Sequence, residues 1–145
     1  TKSGAGTLTL GGTNTYTGIT NINAGTLIAA NNTALGTVAS GTNVASGATL
    51  AFSGGITVGA ESVTISGAGD AGNGRAGAID NTAGVNSFAG VITDASATTI
   101  GSSAGTLALS GAIVNGGSLA TFNATGGNIT TSGVISGSGG LTMNG

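Results

Sequence analysis

The chain has 145 residues, with two Lys or Arg against four Asp or Glu, a formal net charge of −2, and no His or Cys. Lys2 and Arg75 cannot form the clustered positive surface that nucleic acid or anionic lipid requires. Cys–His and Ser–His–Asp catalysis and zinc sites using His or Cys are excluded within this chain, and no apolar run reaches the roughly eighteen residues of a membrane-spanning helix.

Hydrophobic residues make up 39% of the sequence, but aromatic residues only 3%, namely Tyr16, Phe52, Phe88 and Phe122. That supply suits a narrow stack of short strands better than a broad globular core, because each layer covers only its neighbours. The 31 glycines permit frequent tight turns, and the absence of proline leaves every backbone donor available for a ladder. A flexible linker would share much of this composition but would lack regular apolar spacing.

Taken along the chain, strands are expected at Leu8/Leu10, Leu50/Phe52, Ile56/Val58, Val63/Ile65, Leu107/Leu109 and Leu141/Met143, each pair two residues apart and so on one strand face. Residues 1–66 are spaced less regularly than residues 77–145. Between them, residues 67–76 read as a loop or enlarged corner within a single unit spanning 1–145. Gly90-Val-Ile92, Gly111-Ala-Ile113 and Gly133-Val-Ile135 recur at steps of 21 and 22 residues, and Ala5-Gly-Thr-Leu-Thr-Leu10 returns as Ala104-Gly-Thr-Leu-Ala-Leu109. Such a step matches one turn of a solenoid. The expected fold is therefore all-β, a single-stranded parallel β-helix of about six to seven rungs. The chain reads as one period of a longer tandem array.

Candidate chemistry is sparse. Among Glu61, Asp70, Asp80 and Asp94, the pair Asp80 and Asp94 is the one to inspect for glycoside hydrolysis, with solvent-facing corner charges as the simpler expectation. Gly67 to Gly74 holds one carboxylate, Asp70, without the repeated Asp-containing nonapeptides of a calcium β-roll. It also lacks the lysine and strand-to-helix context of a phosphate loop. No catalytic residue, metal site or cofactor is expected.

Gly4-Ala-Gly-Thr-Leu-Thr-Leu-Gly-Gly-Thr-Asn-Thr-Tyr-Thr-Gly18, followed by Thr20-Asn-Ile-Asn-Ala-Gly-Thr-Leu27, resembles the autotransporter-associated β-strand repeat, also called the passenger-associated transport repeat. Gly11 stands where many members have Ser, and Ile19 where many have Gly. The resemblance implies a right-handed hand for the β-helix. It assigns backbone turns to Gly4, Gly6, Gly12, Gly18 and Gly25, the rung core to Leu8, Leu10, Ile22 and Leu27, and a corner to Asn14 and Tyr16.

It further implies a noncatalytic passenger stalk, secreted or displayed on the surface of a Gram-negative bacterium, that supports export by sequential rung folding. Its partners would be adjacent repeats of the same passenger and the outer-membrane translocator β-barrel. An adhesion module reading glycans or cell-surface proteins through exposed polar rows is the alternative, with self-association also open. Ice binding is a weaker third reading, since Thr7-Leu-Thr9 does not recur as Thr-X-Thr on successive rungs.

Overall fold

Glycine interrupts almost every apolar run, and Thr, Val and Ile fill the segments between, which favours short strands over helices. The computed structural model describes residues 1–145 and carries this out as a β-solenoid of about six turns. The first turn holds β1 (Thr7–Leu10), and the second holds β2 (Thr20–Ile22) and β3 (Gly25–Ala29). The third has β4 (Thr42–Val44), β5 (Ala48–Ser53) and β6 (Thr57–Val58), and the fourth β7 (Val63–Gly67), β8 (Ile79–Ala83) and β9 (Val85–Phe88). The fifth has the long β10 (Ile92–Ser102) and β11 (Gly105–Leu109), and the sixth β12 (Ile113–Val114), β13 (Ala120–Asn123) and β14 (Gly127–Thr131). β15 (Ile135–Ser136) and β16 (Leu141–Asn144) close the chain.

Every pairing is parallel, and the strands stack as three ladders. The first face runs β1-β3-β5-β8, then the C-terminal half of β10, β13 and β16. Its inner column is Leu8, Leu27, Leu50, Ile79, Ile100, Phe122 and Met143. The second face runs β2-β4-β7, the N-terminal half of β10, β12 and β15. The third stacks β6, β9, β11 and β14, with Val58, Phe88 and Leu109 in line. One apolar cluster of 22 buried residues threads all three, and Phe52 and Phe88 stack at its middle with ring centroids 5.7 Å apart.

The recurring Gly-X-Ile units are stacked corners. Ile92, Ile113 and Ile135 pair in register, while a side chain on Gly111 would run into the Gly90 carbonyl and one on Gly133 into the Gly111 carbonyl. The other recurrence behaves differently. Ala5 to Leu10 lies on the first face and Ala104 to Leu109 on the third, because glycine followed by alternating leucines fits any inner face. A shared motif here encodes a strand, not a register.

The chain passes between the second and first faces by short corners in the second and third turns, and β10 crosses them unbroken, with a register shift between Asp94 and Thr98. The fourth turn differs. Between Gly67 and Ile79 the chain makes an excursion containing a 3-10 turn at Ala71–Asn73, which lies back over the outside of the first face.

Candidate functional site

The first turn pairs with the second through β1 and β3. Leu8, expected in the rung core, is 42% exposed, whereas its register partner Leu27 is buried. Leu10 is half-buried against the core and Ile22 fully buried. A cavity of about 340 Å³ opens here, lined by Lys2, Leu8, Leu10, Tyr16, Ile19 and Leu27 among others.

Backbone and polar contacts attach this turn to the next. Gly25 takes φ 69°, and its α-carbon faces the carbonyls of Gly4 and Gly6 so closely that no side chain fits. That is the one left-handed glycine among those assigned to turns; Gly4, Gly6, Gly12 and Gly18 have no positive φ, and nothing within 4 Å would meet a side chain on Gly4, Gly6 or Gly18. The Lys2 ammonium donates to the carbonyls of Ala24 (2.8 Å) and Gly4. The Asn14 side-chain amide donates to the Ala34 carbonyl at 2.7 Å and its backbone N–H to Thr33 at 3.3 Å. Tyr16 lays its ring against Gly36, accepts from the Thr37 N–H at 2.9 Å, and shares a 2.8 Å hydrogen bond with the Thr20 hydroxyl. Together these residues bind the first turn to the second.

The family model of the passenger-associated-transport-repeat matches residues 1–29, the segment just described. Over these residues the chain is similar to that repeat. The match ends at Ala29, the last residue of β3, so the matched segment comprises the first turn and both strands of the second. The repeat points to an autotransporter passenger module, and together with the β-solenoid fold it indicates a structural element. Neither the curated proteins nor the solved structures searched contain a match. No helix of the chain is long and apolar enough to cross a membrane.

Beyond the repeat, the carboxylates depart from expectation. Instead of forming solvent-facing corners, all four acidic residues are buried: Glu61, Asp70, Asp80 and Asp94 are exposed by only 2%, 8%, 0% and 4%. The pair Asp80 and Asp94 is not brought together. Asp80 alternates with core Ile79, points outward on the first face, and accepts from the Ser103 N–H (3.0 Å) and hydroxyl. Asp94 points inward on the second face, continuing the column Ile22, Val44, Ile65.

There the Asp94 oxygens have no hydrogen-bond partner, and neither does the buried Thr98 hydroxyl. Burial pushes the Asp94 carboxyl above its usual range, and the proximity of Thr98 offsets this only in part. Burial also raises Glu61, against the opposing effect of the Thr42 hydroxyl that donates to it at 2.5 Å. Asp70 is held below the usual range, chiefly by the Asn73 side-chain amide, despite the opposing cost of burial. One sequence signal for Asp94 was available: Ile92-Thr-Asp94 sits in register with Val63-Thr-Ile65, so alternation places the acid on the core side.

Proposed function

We propose that the chain is a noncatalytic stalk module of an autotransporter passenger, displayed outside a Gram-negative cell, that supports export by folding rung after rung. The observation that carries this reading is the unbroken parallel ladder that begins within the repeat and runs through every later turn. A single turn cannot stand alone. The fifth contributes Ile92, Ile100, Leu107 and Leu109 to the core, at about 1.5–3 kcal/mol per buried side chain, against an ordering cost of about 1–2 kcal/mol for each residue it fixes.

A turn therefore becomes stable only on a neighbour that already offers a strand edge and apolar cover. During emergence from an outer-membrane β-barrel, each completed turn would oppose return of the chain. The supporting partners are the barrel and the adjoining turns of the same passenger.

The test is to replace these residues, in the passenger that carries them, with a flexible Gly/Ser segment of equal length, and to follow surface display over time at matched precursor abundance. Slower display is the expected result. Display at the unmodified rate would overturn the folding role and leave only a spacer.

A further inference from the structure

Thr26 and Thr49 alternate with core Leu27 and Leu50, so their side chains leave the first face outward, yet both are 0% exposed. Thr121 and Thr142, which occupy the same outward column farther along the stack, are only half-buried. The difference is the excursion between β7 and β8. Its Asp70 carboxylate accepts from the Thr26 hydroxyl at 2.9 Å, and its Asp70 N–H donates to the Thr49 hydroxyl at 2.8 Å, which donates in turn to the Gly77 carbonyl at 2.8 Å. The Asn73 amide donates both to Asp70 and, at 2.9 Å, to the carbonyl of Ala5 in the first turn. Arg75 reaches Thr26 at 3.4 Å.

The far foot of the excursion contacts later turns. Ala76 occupies the space where a side chain on Gly101 would lie, and its carbonyl accepts from the Asn123 amide at 3.3 Å. Gly69 crosses directly over Gly77, closing the neck, with φ 88°. A segment that leaves the fourth turn thus touches the first, second, third, fifth and sixth. Its polar partners inside the repeat are Ala5 and Thr26.

We propose that residues 68–76 are a strap that docks across the first face once the early turns have formed, and locks the passenger-associated repeat to the remainder of the solenoid. The docking surface, Ala5, Thr26 and Thr49, exists only when three turns are stacked, so closure follows their assembly. In the folding-driven export proposed above, on which this role for the strap rests, closure would fix a multi-turn block at once rather than one turn at a time.

The chain supplies its own probe. Lys2 and Arg75 are its only tryptic sites, and Arg75 lies in the strap. Cleavage after Arg75 reads the undocked population when opening is fast relative to cutting. Asp70→Ala and Asn73→Ala should each speed that cut at least about tenfold, the effect of losing a hydrogen bond to a charged group. Amide exchange should rise in β3 and β5, while β11 and β14 keep wild-type protection. Cutting at the wild-type rate, with unchanged exchange in β3 and β5, would overturn the strap.

A variant that loses protection in β11 and β14 has failed to fold, and the wild-type chain nicked at Arg75 then decides. Lost protection in β3 and β5 of the nicked chain supports the strap; full protection rejects it. Surface display of the Asp70→Ala passenger separates the two proposals. Normal display with faster cleavage keeps the strap and removes its part in export.

Discussion

Asp94 is the residue at which local chemistry runs most directly against the fold. Its column is otherwise Ile22, Val44 and Ile65, its oxygens are unpaired, and no basic side chain supplies a hydrogen bond or ion pair to it. Burying a polar group without a partner costs about 1–3 kcal/mol on the scale of protein mutational data. Asp94→Val should therefore stabilise the fold by about that amount at pH 7, measured as a higher urea midpoint. The pH dependence identifies the cause. Because the folded carboxyl titrates above the unfolded value of about 3.9, the folded chain keeps a proton that the unfolded chain has lost, and wild-type stability falls as pH rises across that window. The advantage of Asp94→Val should thus be smallest below the window, grow through it and level off above. An equal gain at pH 3.5 and pH 7 would show that charge is not what the site penalises. Asp70 has the opposite sign: its depressed carboxyl contributes stability above the unfolded value, and this is lost as pH falls through the folded one.

Corners carry the element-scale specificity. Gly90, Gly111 and Gly133 are stacked so closely that a methyl on Gly111 would overlap the Gly90 carbonyl, backbone against backbone, where no side chain can move aside. Gly111→Ala should cost more than about 3 kcal/mol or abolish folding, whereas Gly18→Ala, with open space around it, should stay within about 0.5 kcal/mol. Denaturant melts of the two variants compare them directly, and equal losses would refute the stacked-corner account. This column was legible in the sequence because Gly-X-Ile recurs at nearly constant steps. The strands were legible too, since alternating pairs such as Val63/Ile65 and Leu107/Leu109 fall in β7 and β11. What composition and spacing did not reveal is which face a strand joins. Thr7-Leu-Thr-Leu10 and Thr106-Leu-Ala-Leu109 present the same inner pattern on different ladders. The burial of the acids was hidden for another reason. Asp80 points outward and is covered by Ser103 of the next turn, while Asp70 lies on the excursion with its carboxylate turned onto Thr26, and neither their neighbours in sequence nor their spacing announces that cover.

At the scale of the whole molecule, the ladders make stability a sum over neighbouring turns, and the strap adds one interaction that spans several of them. The final strands, β15 and β16, illustrate the first part. Leu141 and Met143 are 57% and 63% exposed, Val134 is 71% exposed, and none of the strap contacts reaches beyond Asn123. Removing residues 133–145 exposes Phe122 and Ile113 as a new end but leaves every strap partner in place. The shortened chain should fold, with a single urea transition whose slope falls in proportion to the surface one turn buries and a midpoint only modestly lower. Its cleavage at Arg75 should match that of the full chain, because the loss is confined to the far end of the stack. A truncated chain that unfolds outright would mean that cooperativity runs through all of these turns and that the strands of 133–145 are needed to hold them. A retained transition with unchanged cleavage would instead locate the cooperative block in the turns that the strap spans, with the passenger-associated repeat at its other edge.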